Sequence, residues 1–258
     1  MFVPKEILTV WKKFDDFGME NLTKAWYYNQ TDGPKQRSVE LMEEHYHQYG
    51  LYGNCFDLTI WLLHEFRKSK IEAYPIGHDL KTKDAHVAIV ALDEKGFKYL
   101  CDLGDQWIIP ILIDPNSPEY TEEILDGFFP GAKVQVKDEG ESCKINYYRH
   151  GGKLSQQSYS LKSIDDELLI SAGEHCQGLL ERPLCEKRIP YKSEIAHWEF
   201  YNWQSFVSTS EGLFPEPKRK SISGWSERIR QRTGMDKKIL QQALHMYLSL
   251  EMDTGIFV

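Results

Sequence analysis

The 258-residue chain has no apolar run approaching the roughly 20 residues that a membrane helix needs. Its opening residues, Met1-Phe2-Val3-Pro4-Lys5-Glu6, do not form a charged-then-apolar leader. No long Lys/Arg stripe occurs and the formal net charge is -8, so the phosphate backbone of a nucleic acid offers it nothing. The one basic cluster, Lys218-Arg219-Lys220, reads as a solvated loop. There is no Cys-x-x-Cys and no His-Glu-x-x-His, and the five cysteines are odd in number and scattered. His45 and His47 are two apart, a spacing that points them away from each other on a helix. His175-Cys176 with Cys185 forms no metal-binding pattern either. A Gly-rich phosphate loop and internal repeats are also missing. These absences predict a cytoplasmic protein with no metal, no nucleic-acid partner and no membrane partner.

What is present is enough to build a sizeable core: 41% of the residues are hydrophobic and 13% aromatic. Ile7, Val10, Trp11 and Phe14 follow a helical spacing, as do Val39, Met42 and Tyr46. After a turn at Tyr52-Gly53-Asn54, residues 55–66 read as a mostly buried helix with Phe56, Ile60, Leu63 and Phe66 in one stripe. Basic residues 67–70 suit its C-terminus. Strand patterns follow at 85–92 and 97–103, joined by a turn with Gly96 at a left-handed position. More strands are expected at 133–136, 143–149 and 157–161, making a small antiparallel sheet or barrel. A short helix is expected at 163–171. An amphipathic one is expected at 237–252, with Ile239, Leu240, Ala243, Leu244, Met246, Tyr247 and Leu250 as packing surface.

Three residues carry a chemical reading. Cys55 opens its helix, where backbone N–H groups and the dipole favour a thiolate and could hold an oxyanion. His86 begins one strand and Asp102 lies on the return strand. If Gly96 closes a type I turn with a bulge, Asp93 pairs with Phe97 and His86 lies opposite Gly104. Asp102 is then the diagonal neighbour of His86 on the same face, roughly 7–8 Å away at Cα. A one-residue slip would separate them. In this triad Cys55 attacks an acyl carbonyl, His86 takes and returns its proton, and Asp102 orients His86. The plain alternatives are a small buried thiol, a structural histidine and a turn-proximal acid.

The stretches Gly53-Asn54-Cys55-Phe56-Asp57, His86-Val87-Ala88-Ile89-Val90 and Tyr99-Leu100-Cys101-Asp102-Leu103-Gly104 resemble the arylamine N-acetyltransferase family. Residues 50–105 carry most of the likeness. Asn202, Ser208-Thr209-Ser210, Phe214 and the helix before Asp253-Thr254-Gly255-Ile256 add to it. The resemblance implies an α+β, papain-like cysteine enzyme: a helical lobe (1–70), an antiparallel β-barrel lobe (71–195) and an α/β lid (196–258). It implies ping-pong transfer from acetyl-CoA, through a cysteine thioester, to an arylamine, hydrazine or similar small-molecule amine. It also implies CoA contacts at Gly104 and Thr209. Asp105-Gln106-Trp107 departs from the family, which has an aromatic residue and a second glycine there, in the region that lines the acyl and amine site. Tyr52-Gly53-Asn54 stands where Arg-Gly-Gly is usual. Two other readings stay open: a transglutaminase-like deamidase, crosslinker or peptidase that uses no CoA, and a non-catalytic binding protein on the same fold.

Overall fold

The computed structural model of the protein describes residues 2–254, with side chains as far as Leu250. The sequence parallel at Gly255 and Ile256 lies outside the described residues. The N-terminal part is helical: α1 (Lys5–Trp11), α2 (Leu22–Tyr27), α3 (Val39–Tyr49) and α4 (Cys55–Lys68). Ile7, Val10, Trp11 and Phe14 are all buried, as their spacing implied. α4 begins with a capping box. The Asn54 side chain accepts from the N–H groups of Phe56 and Asp57, and Asp57 accepts from the Asn54 N–H. Of its expected stripe, Phe56, Leu63 and Phe66 are buried and Ile60 is half-buried.

Three antiparallel sheets follow. The first is β2 (Ala73–His78), β3 (His86–Leu92), β4 (Lys98–Cys101) and β5 (Ile111–Leu112). α4 packs on its β2 and β3. The second is β6 (Leu125–Phe129), β7 (Ala132–Asp138), β8 (Ser142–Arg149) and β9 (Leu154–Ser160). The expected barrel is corrected here: among the described residues neither sheet closes on itself or on the other. β9 touches β2 without pairing to it. Pro75 is the physical reason at that edge. Its carbonyl accepts from Ile164 N–H at 2.9 Å, but the residue has no N–H with which to continue a ladder.

The third sheet runs β1 (Met19–Glu20), β10 (Leu184–Tyr191), β11 (Glu194–Tyr201), β12 (Gln204–Thr209), β13 (Gly212–Pro215). Its edge strand β1 comes from the helical part, and the division expected at 195/196 falls inside β11. α5 (Asp166–Gln177) begins and ends later than the helix expected at 163–171. α6 (Ile222–Thr233) and α7 (Lys237–Thr254) complete the fold, and α7 packs on α2 and α6. In α7, Ile239, Leu240, Ala243, Leu244 and Tyr247 are buried, while Met246 and Leu250 are half-buried. No helix among the described residues is long and apolar enough to cross a membrane. Lys218-Arg219-Lys220 is an exposed loop, His45 is buried and His47 exposed.

A buried polar network holds the turn that precedes α4. Arg37 pairs with Asp57 at 3.2 Å, their side chains 2% and 1% exposed. Arg37 also donates to the Tyr52 carbonyl, and Gln36 Nε2 donates to Asp57 Oδ1 at 2.9 Å. Glu20 accepts from Gly53 N–H at 2.7 Å. Gly53 is obligatory: its φ is +116°, and a Cβ would lie 2.3 Å from Asp57 Oδ2. Replacing Arg37 by Met would leave Asp57 buried without its counter-charge. We predict a loss of about 3–5 kcal/mol in urea unfolding. Wild-type stability in that variant would refute the assignment of this pair as the anchor of the turn.

Candidate active site

Cys55 is the first residue of α4 and is half-buried. Its position is set by Asn54, whose side chain also donates to Gln177 Oε1 on α5 at 3.2 Å. Gln177 in turn donates to Gln36 Oε1 at 3.0 Å. The cap uses two N–H groups of the first turn, those of Phe56 and Asp57. The Cys55 N–H has no acceptor among the described residues. The oxyanion reading of this helix start is therefore narrowed to that one donor.

His86 opens β3, and the hairpin register is the expected one. Leu92 pairs with Lys98 and Ile89 with Cys101. Asp93 N–H donates to the Phe97 carbonyl at 3.1 Å, and Gly96 has φ +82°. The ladder ends at Ile89 and Cys101 and the chain turns at 103–106, with Asp102 the first residue past β4. His86 Nε2 lies 2.7 Å from Asp102 Oδ2, and the Asp102 side chain is fully buried. That bond leaves Nδ1 free of Asp102, and Cys55 and the ring meet at Gly104, where a Cβ would contact both Cys55 Cβ and His86 Cε1. Burial acts to lower the His86 pKa. The charges of Asp102 and Asp105, with the hydrogen bond to Asp102, outweigh it and hold the imidazole well above its ordinary value. Gly104 is the floor of the site. A Cβ there would lie 2.8 Å from Cys55 Cβ and 3.2 Å from both Asp102 Oδ1 and His86 Cε1.

Two further groups join the three named from the sequence. Asp105 Oδ1 is 3.9 Å from His86 Nε2, and Asp105 N–H donates to Asp102 Oδ1 at 3.0 Å. The Tyr159 hydroxyl, on β9, lies 2.9 Å from Asp102 Oδ2 and 3.1 Å from Asp105 Oδ2. Burial, then the Asp102 charge, pushes the Asp105 carboxyl up to about 6. Asp105 thus carries a proton at a pH where an ordinary aspartate is ionised. Its place there is set by the turn at 103–106, since a continued strand would put residue 105 on the face opposite residue 102. Tyr159 lies 57 positions from Asp102 on another sheet and left no local signal.

His86, Asp102 and Asp105 offer ligand atoms within 4.8 Å of one another, the only such grouping among the described residues. The 2.7 Å His86–Asp102 contact is a hydrogen bond and has no ion between its atoms. Thr209 is buried at the end of β12. Its hydroxyl donates to the Gly212 carbonyl at 3.3 Å and accepts from Glu211 N–H at 3.0 Å, inside the β12–β13 turn.

No sequence-family model matches the chain, and no curated protein matches it. Solved structures do. The arylamine N-acetyltransferase of Mycobacterium marinum, solved in complex with CoA, superposes with a TM-score of 0.71 at 11% identity, covering 91% of this chain and 89% of that one. The M. tuberculosis arylamine N-acetyltransferase gives 0.69 at 11% identity over 94% and 95%. One from Bacillus cereus, described as having a unique Cys-His-Glu catalytic triad, gives 0.64 at 12% identity over 92% of each chain. The protein has the α+β fold of the arylamine N-acetyltransferases, and the resemblance read in the sequence holds at the level of fold.

The electrostatics give a sign. Both carboxylates favour the His86 cation, so removing either charge lowers the pH at which the ring gives up its proton. We predict that Asp105→Asn shifts the His86 midpoint downward in an NMR titration of labelled histidine, and that Asp102→Asn shifts it further. An unchanged midpoint in Asp105→Asn would show that Asp105 does not act on the ring.

Proposed function

We propose that the protein is a cysteine acyltransferase that moves an acetyl or other acyl group from acyl-CoA to a small amine. One observation carries this reading: a histidine, hydrogen-bonded to a buried aspartate, and a cysteine at the start of a helix meet at one glycine, Gly104. Cys55 attacks the thioester carbonyl as a thiolate. The Cys55 N–H is the donor placed for the developing oxyanion. His86, held as a cation by Asp102 and Asp105, gives its proton to the departing CoA thiolate. His86 is then neutral. It accepts a proton from the amine as the amine attacks the Cys55 thioester and Cys55 leaves as a thiolate. Gly104 acts here by having no side chain, which leaves the floor beneath the thioester open. Thr209 contributes to a donor site through the turn that it closes. The protein works in the cytoplasm, where acyl-CoA is available.

The transglutaminase-like reading shares the order Cys, His, Asp. The likeness in fold across nine-tenths of the chain, including one neighbour solved with CoA, favours the acyltransferase. A non-catalytic protein would have no use for a second carboxylate on the imidazole.

Intact-protein mass spectrometry after exposure to a panel of acyl-CoAs tests the proposal. We expect one acyl adduct, mapped to Cys55 and absent in Cys55→Ala. His86→Ala should slow acylation at least about a hundredfold while circular dichroism shows the fold intact. Deamidation or proteolysis without CoA, and no adduct, would transfer the protein to the transglutaminase-like class.

A further inference from the structure

All five cysteines are free, and they fall into two groups. Cys101, Cys143 and Cys185 are fully buried, and burial pushes each of those thiols well above its ordinary value. Cys55 and Cys176 are half-buried. A small electrophile from solvent therefore meets two thiols, and the fold brings both to the start of α4.

Cys176 lies in the last turn of α5. Gly173, Cys176 and Gln177 are spaced to share one face of that helix, and the face lies on the first turn of α4. Gly173 permits a close approach. A Cβ there would lie 2.6 Å from Gln36 Oε1 and 3.4 Å from Phe56 Cδ1. Cys176 Sγ is 3.8 Å from Asn54 Nδ2, and Gln177 Oε1 accepts from the same nitrogen at 3.2 Å. Asn54 and Phe56 are the residues on either side of Cys55, so this face of α5 brackets the nucleophile. Burial, then the Cys55 charge, pushes the Cys176 thiol up to about 11, with the Lys24 ammonium acting against them.

The acyl-transfer cycle makes no use of this second sulfur. His86, Asp102 and Gly104 come to Cys55 from the hairpin side, and Cys176 comes from α5. Residues 178–183, which follow α5, belong to no helix or strand, so the helix end can shift toward Cys55 without breaking a sheet ladder.

We propose that Cys55 and Cys176 form a redox switch, in which Cys176 captures the oxidised nucleophile as a disulfide. The inference rests on Cys55 being the nucleophile of the reading above. The Cys55 thiolate attacks the terminal oxygen of a hydroperoxide. An S–O bond forms, the O–O bond breaks, and the departing oxygen takes the proton held on His86. Cys55 is oxidised to the sulfenic acid, and the hydroperoxide is reduced to water or an alcohol. The Cys176 sulfur then attacks the Cys55 sulfur. An S–S bond forms, the S–O bond breaks, and hydroxide leaves with the Cys176 proton as water. Acyl transfer stops, because the disulfide has no thiolate to attack a thioester. A dithiol reverses the switch and is itself oxidised to a disulfide. Without Cys176 the sulfenic acid is open to a second hydroperoxide, which takes it to the sulfinic acid that thiols do not reduce.

The test treats wild-type protein and Cys176→Ser with a small excess of hydrogen peroxide, blocks free thiols with iodoacetamide and maps the peptides by mass spectrometry without reduction. We expect a Cys55–Cys176 cross-linked pair in wild type, with acylation of Cys55 lost on oxidation and restored by dithiothreitol. Oxidised Cys176→Ser should carry sulfinic acid on Cys55, and its acylation should stay lost after dithiothreitol. Oxidised Cys55 without the cross-link in wild type, a cross-link to another cysteine, a Cys55 that peroxide leaves untouched, or full recovery of Cys176→Ser would overturn the switch. Acylation of Cys55 by acyl-CoA is scored separately on reduced protein. An acyl adduct without the cross-link removes the switch and keeps the acyltransferase reading. A cross-link without an acyl adduct supports the switch and removes acyl-CoA as the donor.

Discussion

The start of α4 and the end of β4 can approach each other because residue 104 has no side chain. A methyl group there would meet Cys55 Cβ at 2.8 Å and press on both His86 and Asp102. Cys55 arrives on a helix, and His86 and Asp102 on a hairpin and just past its end. Their geometry depends on how closely those two elements pack. Any residue larger than glycine would open the helix–sheet junction and lengthen the contact between thiol and imidazole.

The same junction explains why so much polar structure is buried around Cys55. A helix that starts in the interior has orphaned N–H groups that water cannot reach. Asn54 and Asp57 satisfy those of Asn54, Phe56 and Asp57 but not that of Cys55, Arg37 neutralises Asp57, and Gln36 and Gln177 tie the cap to α5. Each member is saturated by another, the condition under which a buried network rigidifies a site. On the other side of His86 the arrangement differs. Tyr159 has one proton to share between Asp102 and Asp105, and the second carboxylate is held near 6 by burial and its neighbour. On the Cys55 side the cap is satisfied except at the Cys55 N–H, while beyond His86 two carboxylates share one hydroxyl.

Much of this was legible in the sequence where the determinants are local. The turn at Asp93–Gly96 sets the hairpin register from Leu92–Lys98 to Ile89–Cys101, which brings the strand holding His86 beside the one that ends before Asp102. The helix at Cys55 follows from its cap and its apolar stripe. The strands at 133–136 and 143–149 lie within β7 and β8, and the helix at 237–252 lies within α7. Other features have no local cause. β1 is two residues long and becomes a strand only because β10 lies beside it. α6 is rich in arginine and its helical character was missed, since its buried face rests on a few positions such as Trp225 and Ile229. The barrel expected from a run of hairpins stays open because closure depends on edges meeting, and Pro75 blunts one of them.

By itself the sequence determined the helix that starts at Cys55, the hairpin that carries His86 and leads to Asp102, and the family likeness around them. Those depend on contacts within a turn or a two-stranded register, where spacing decides geometry. Only the tertiary structure decided that Tyr159 joins two carboxylates and that Asp105 faces His86. Strand alternation names two faces but not which one meets solvent, core or cleft. That choice is made by the sheet that packs opposite.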